Sequence, residues 1–206
     1  MARIIEDGSL VLFQGDSITD AGRNYADPAS MGYGYAKIVA GEFKGSGVRF
    51  LNRGISGNRV IDLKMRWDRD CLALRPDWVS IMVGVNDTWR RYDCDDPTSC
   101  GSFADSYRDI LTRTRDELGA RLIILEPFVL PVSSHIDAFR EDLDPKIEIT
   151  RSLADEFGAI LVPLDSLFAA GVSHRSPGYW SEDGVHPTPA GHQLIARAWL
   201  DAVGRR

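Results

Sequence analysis

The chain has little cysteine. Three residues in 206, Cys71, Cys94 and Cys100, cannot supply the disulfide framework of a small secreted domain. Cys94 and Cys100 share a segment and could meet, but a reducing compartment keeps such thiols free. Cys71 falls in a helical apolar pattern and is expected in the core. There is no CxxC pair, and the four histidines are scattered, so neither a zinc site nor any other cofactor is expected. Positive charge is also short. A net charge of −6 and a pI near 5.2 lack the basic footprint of a nucleic-acid partner. No apolar run nears the roughly 20 residues of a membrane span. Acids sit in Met1–Asp7, where a signal peptide would need an apolar core, so a cytoplasmic protein is expected. With no repeat, low-complexity tract or long Pro/Gly linker, residues 1–206 read as one domain.

What is present is an α/β pattern with 44% apolar residues. Leu10-Val11-Leu12-Phe13 is a continuous apolar run, as in a parallel strand covered on both faces. It stops at Gly15 and presents Ser17 just past its carboxyl end, where open α/β sheets place their ligands. A helix is expected over about 34–43, then a strand at 48–52 running into a second glycine-rich turn at Arg53-Gly54. Val60, Leu63, Trp67, Cys71 and Leu74 share one helical face, closed by Pro76. Residues 78–83 read as a central strand ending at Gly84-Val85-Asn86-Asp87.

An Asp-, Pro- and Ser-rich loop then leads to Ser102, a candidate N-cap for a helix carrying Phe103, Tyr107, Ile110, Leu111 and Leu118. Residues 122–125 and 160–162 are the last two strands. Between them Asp144-Pro145 resembles an N-cap and first helical position. Residues 165–182 read mostly as loop with a short helix. Thr188-Pro189 opens a final helix with Ile195, Ala198, Trp199 and Ala202 on one face. Five strands alternating with helices predict a parallel sheet in a three-layer α/β/α sandwich, flavodoxin-like in order.

In such a sheet the turns at Ser17, Gly54 and Asn86 lie along one edge, with Asp183-x-x-His186 on the loop before the last helix. A serine hydroxyl needs a base, an orienting group and donors for the oxyanion it creates. His186 suits the base and Asp183 its partner. The N–H groups of Ser17 and Gly54 and the Asn86 amide suit the oxyanion. Each piece alone has a plainer reading: Gly-Asp-Ser as a turn, Asn86-Asp87 as a turn, Asp-x-x-His as a cap or half a metal site. Together and in this order they point to nucleophilic catalysis.

These blocks, Gly15-Asp16-Ser17-Ile18-Thr19, Asn52-Arg53-Gly54-Ile55-Ser56-Gly57-Asn58, Gly84-Val85-Asn86-Asp87 and Asp183-Gly184-Val185-His186-Pro187, resemble those of the SGNH (GDSL-type) hydrolase family. The segments 58–67, 76–82 and 87–92 make the chain similar to its acetylxylan esterase-type carbohydrate acetylesterases. The resemblance implies Ser17 as nucleophile, His186 as base and Asp183 as its partner. It implies Ser17, Gly54 and Asn86 as oxyanion donors, an acetylated xylo-oligosaccharide or similar sugar as substrate, and homo-oligomeric assembly. It fades over 128–145 and 165–180.

For substrate contacts the candidates are Asp16 and the aromatics Trp89, Tyr92, Tyr179 and Trp180, read as loop residues. Core packing and sugar contact are both open for them. Trp180, close before Asp183, is expected to wall the pocket and limit the acyl group to acetyl. Arg90 and Arg91 read as a solvated or interface pair, and His135, His174 and His192 as solvated or structural. Two other functions stay open: a thioesterase or lysophospholipase, which would need an apolar acyl tunnel, and a non-catalytic carbohydrate-binding module.

Overall fold

A computed structural model describes residues 4–204; the first three residues of the acidic N-terminus lie outside the described residues. Five strands form one parallel sheet: β1 Leu10–Gly15, β2 Arg49–Asn52, β3 Trp78–Met82, β4 Arg121–Leu125 and β5 Ile160–Val162. Their order is β2-β1-β3-β4-β5, so the expected flavodoxin-like order stands. The switch in winding direction lies between β1 and β3, and the chain carries Ser17 just beyond it.

Alternation along each strand divides the core in two. Val11 and Phe13 point to one face and Leu12 to the other; Trp78 and Met82 oppose Val79 and Ile81; Ile123 and Leu125 oppose Leu122 and Ile124. On the first face pack α2 (Tyr35–Glu42) and α10 (Pro189–Ala202). Trp199 of α10 is fully buried there, and its indole donates to Ser80 Oγ at 3.0 Å. The second face is covered by α3 (Val60–Asp70) and α5 (Cys100–Arg113), with Trp67 fully buried. The long α7 (Arg140–Glu156) gives Leu143 and Ile147 to one core and Leu153 to the other. No helix among the described residues is long and apolar enough to cross a membrane.

Several expectations need correction. The segment after Asn86 is helical: α4 spans Val85–Asp93, so Trp89 and Tyr92 stand on a helix. Asn and Asp are weak helix formers, but in the first turn Asp87 faces the positive end of the helix dipole. The cap of α5 is Ser99, whose side chain accepts from the Ser102 N–H. Cys94 and Cys100 are exposed free thiols on either side of the short remaining loop. Pro145 lies inside α7, which starts at Arg140 rather than after Asp144; it forgoes the one bond its N–H would have made to the carbonyl of Glu141, near the start of a long helix.

The segment 128–130 is buried, and α6 (Ser134–Asp137) follows it. The stretch read mostly as loop holds α8 (Leu164–Val172) and α9 (Pro177–Trp180). The helix carrying Val60 and Trp67 ends at Asp70, and Leu72–Leu74 forms a separate 3₁₀ turn.

Candidate active site

β1 ends in a turn only glycine can make. Gly15 has φ +158°, and a Cβ there would sit 2.3 Å from the Met82 carbonyl oxygen. The chain then enters a single helical turn, α1 (Ser17–Asp20), capped by Asp16, whose Oδ1 accepts from the Ile18 N–H at 3.0 Å. Ser17 is the first residue of that turn, so its N–H has no partner within the helix. Its hydroxyl lies half-buried above the sheet edge.

The loop before α10 brings the other groups. Ser17 Oγ is 2.9 Å from His186 Nε2, and His186 Nδ1 is 2.6 Å from Asp183 Oδ2. Asp183 Oδ1 accepts from the N–H groups of Val185 and His186, at 2.9 and 2.7 Å, and from Ser181 Oγ at 3.1 Å. Burial pushes the Asp183 carboxyl pKa up, but the His186 hydrogen bond and the two N–H groups outweigh it and hold the carboxyl well below its ordinary range. The same hydrogen bond raises the His186 pKa above its ordinary value, against the opposing effect of burial. An ionised Asp183 therefore fixes the neutral imidazole with its proton on Nδ1 and leaves Nε2 to accept from Ser17.

Asn86, in the first turn of α4, donates from Nδ2 to the Asn58 carbonyl at 3.1 Å. A carboxamide has a second N–H to offer. The Gly54 N–H is placed differently from the sequence expectation. It donates to Asn52 Oδ1 at 2.8 Å, with Asn52 held by its own donation to the Thr19 and Met31 carbonyls. A Cβ on Gly54 would meet the Asp20 backbone N at 2.4 Å. Glycine is required here by the close packing of α1, and its N–H reaches a bound group only by sharing its bond with Asn52.

The proposed substrate contacts separate. Trp89, one turn after Asn86 on α4, stands beside the imidazole, with ring centroids 5.9 Å apart. Tyr92 faces away: its ring stacks on Phe139 at 4.6 Å and its hydroxyl donates to the Ala138 carbonyl. Trp180 does not wall the site. Its indole packs edge-on to Phe168 of α8 and lies against Gly171, while the backbone of 180–181 pairs with 187–188. Chain proximity to Asp183 thus belongs to the Trp180 backbone alone. Tyr179 is exposed, edge-on to Trp180.

Asp16 is buried rather than offered to a ligand, and burial pushes its carboxyl up to about 7, against the Ile18 N–H and the charge of His186. Arg90 and Arg91 pair with Asp93 and with Glu141 and Asp142. Of the remaining histidines, His192 is structural: buried, it accepts the Tyr35 N–H on Nδ1, and burial lowers its pKa to about 4.

Some supporting residues had no sequence signal. Ser181 steadies Asp183 from across the 181–187 bridge. Arg66 joins two blocks, donating to the Asn58 side chain at 2.8 Å and to the Gly15 carbonyl at 3.4 Å. Among the described residues no three His, Cys, Asp or Glu side chains gather to hold a metal ion.

A serine, an imidazole and a carboxylate in sequence at the carboxyl edge of a flavodoxin-like sheet are the layout of an SGNH-type hydrolase. The chain belongs to the GDSL-like lipase/acylhydrolase family, whose model matches residues 13–194, and it is a carboxylic ester hydrolase. Among curated proteins it is 35% identical to an acetylxylan esterase from Geobacillus stearothermophilus, over 97% of this chain and 96% of that one. The solved structure of an acetylxylan esterase from that organism superposes with a TM-score of 0.91 at 34% identity, covering 98% of this chain and 97% of the other. An alpha/beta hydrolase from the metagenome of Lake Arreo, Spain, matches with a TM-score of 0.91 at 31% identity, over 98% of each chain. Further structures of the Geobacillus esterase are of catalytic mutants in which a serine, an aspartate or a histidine is replaced by alanine.

Proposed function

We propose that the chain is a serine esterase that removes acetyl groups from an acetylated xylo-oligosaccharide or similar carbohydrate through an acetyl-enzyme on Ser17. The observation that carries this reading is the unbroken chain Ser17 Oγ–His186–Asp183, at 2.9 and 2.6 Å. The catalytic serine, aspartate and histidine of the Geobacillus esterase support it.

In the first half-reaction Ser17 Oγ attacks the acetyl carbonyl as its proton passes to His186 Nε2. Asp183 holds the imidazole and balances the imidazolium charge without taking the proton. The oxyanion is met by the Ser17 N–H and the second N–H of Asn86, with the Gly54 N–H in a shared role. The intermediate then collapses: the bond from the acetyl carbon to the sugar oxygen breaks, and the imidazolium protonates that oxygen so that it leaves as a hydroxyl. Water repeats the sequence on the acetyl-enzyme: His186 takes its proton as it attacks the acyl carbon, the C–O bond to Ser17 breaks as the imidazolium returns a proton to Ser17 Oγ, and the acid leaves as acetate. Trp89 is the aromatic placed to border the bound ester, in place of Trp180. Cytoplasmic residence and homo-oligomeric assembly carry over from the composition and the family resemblance.

An acyl-length series tests the reading against a thioesterase or lysophospholipase. The enzyme should release acetate from acetylated xylo-oligosaccharides and prefer p-nitrophenyl acetate to the butyrate and octanoate. A long acyl chain gains about 0.8 kcal/mol for each methylene it buries, so an enzyme with an apolar tunnel would show a rising preference along the series. A preference for octanoate would replace the acetylesterase reading with the lipid or thioester one.

A further inference from the structure

An arginine-rich cavity of ≈ 280 Å³ lies beside the Gly54 turn, outside the Ser17–His186–Asp183 chain. Its wall includes Arg53 and Ile55, the two neighbours of Gly54 in the chain, together with Arg23, Tyr25, Arg69 and Asp70. Arg23 donates to the Gly54 carbonyl from Nε at 3.2 Å and from Nη2 at 3.0 Å. Among the described residues Arg53 spends only Nη1, on the Pro28 and Asn52 carbonyls at 3.1 and 2.9 Å. Its Nε and Nη2, the two donors that form one side of the guanidinium fork, are left to a ligand.

The charge balance is positive. Arg66 and Arg69 both bind the one Asp70 carboxylate. Asp20, at the other side, accepts from the Tyr25 hydroxyl and from Ser56 N–H and Oγ. Four guanidinium groups thus meet two carboxylates, in a chain whose net charge is −6. Burial, and after it the charge of Arg53, lowers the Arg23 pKa against the pull of Asp20. An anion set against both arginines would relieve that repulsion. Tyr25 adds a flat apolar surface. The residue is 59% exposed and its hydroxyl is tied to Asp20; the Arg23 guanidinium lies over one face of the ring, 4.4 Å from its centroid, so a ligand would use the other face. A pinned aromatic face beside a cationic fork suits a ring that carries both CH groups and a carboxylate.

The geometry points to a subsite for an acidic sugar residue of the substrate, its carboxylate held by the free Nε/Nη2 edge of Arg53, with the charge of Arg23 beside it, and its ring resting on Tyr25. This rests on the acetylated-carbohydrate reading and narrows it to chains bearing a uronic acid near the acetyl group. Arginine is the fitting residue, since its planar fork can take a carboxylate through two parallel hydrogen bonds.

The test uses the Ser17→Ala protein, which binds without turnover, and two acetylated xylo-oligosaccharides that differ only in a uronic acid side residue. Calorimetric titration should find the acidic one bound about tenfold more tightly, the effect of a charge-assisted bidentate pair. Added salt should reduce the difference. In Ser17→Ala/Arg53→Gln the preference should fall below about twofold, and Arg53→Lys should keep part of it. If Arg53→Gln fails to fold, Ser17→Ala/Tyr25→Ala carries the test and should bind the acidic oligosaccharide more weakly than Ser17→Ala does. Inorganic phosphate should compete far less well than free uronate. Equal binding of the two oligosaccharides, an unchanged preference in Arg53→Gln, or phosphate competing as well as uronate would overturn the subsite. Failure of the intact enzyme to release acetate from the neutral oligosaccharide would instead overturn the esterase reading beneath it.

Discussion

Replacing Ser17 by alanine should abolish ester hydrolysis, lowering kcat by about 10⁶, the loss seen when one member of a comparable triad is removed. The protein should stay folded. The cap of α1 belongs to Asp16, and the bond lost to His186 lies in a partly exposed site, worth about 1 kcal/mol or less. Thermal unfolding should therefore shift little while turnover disappears, and the pair of measurements separates catalysis from stability. Substantial activity in Ser17→Ala would end the serine-esterase mechanism.

Asp183→Asn should lower kcat by about 10⁴, the effect of letting the imidazole adopt the wrong tautomer. A second readout is the pH profile. In the wild type the Asp183 hydrogen bond raises the His186 pKa, and only the neutral imidazole can accept the Ser17 proton. Activity should therefore rise with pH through a midpoint above about 6.5, the ordinary histidine value. Without the carboxylate the midpoint should fall, because the remaining burial of His186 lowers its pKa. Burial pushes the Asp16 carboxyl up to about 7, and its charge, where ionised, also favours protonated His186. Asp16→Asn should thus move the midpoint in the same direction with a much smaller loss of rate. An Asp183→Asn enzyme with normal kcat and an unmoved midpoint would transfer the orienting role to another group.

The parallel sheet was legible because its central strands, β1 with Leu10-Val11-Leu12-Phe13 and β3 with Trp78-Val79-Ser80-Ile81-Met82, are buried on both faces and bounded by turn residues. The parallel direction of the strands followed from the alternation with helices. Ser17, Asn86, Asp183 and His186 were legible for a related reason: they sit at strand ends and loop edges, where topology alone brings them together. What did not show was anything set by distant contacts. Asn86-Asp87 reads locally as a turn, yet Asp87 is fixed inside the fold, accepting the Val60 N–H at 3.1 Å, and a helix grows from it.

Trp180 and Trp89 are equally plausible pocket walls by composition. Only the packing of α8 against α9 draws the first indole toward Phe168, and only the axis of α4 turns the second toward His186. The Gly54 N–H reads as a free oxyanion donor because nothing in the sequence tells that the Asn52 side chain turns back upon it. The cavity around Arg53 was hidden for the same reason, since its arginines come from α3 and two loops far apart in the chain.

The central claim is that Ser17 is a nucleophile activated by His186, and a fluorophosphonate probe tests it most directly. Intact-mass and peptide analysis should find one label per chain, on Ser17, with loss of esterase activity in proportion to labelling. His186→Ala should label far more slowly, and Ser17→Ala not at all. An enzyme that stays active while unlabelled, or that is inactivated by a label on another residue, would contradict the mechanism.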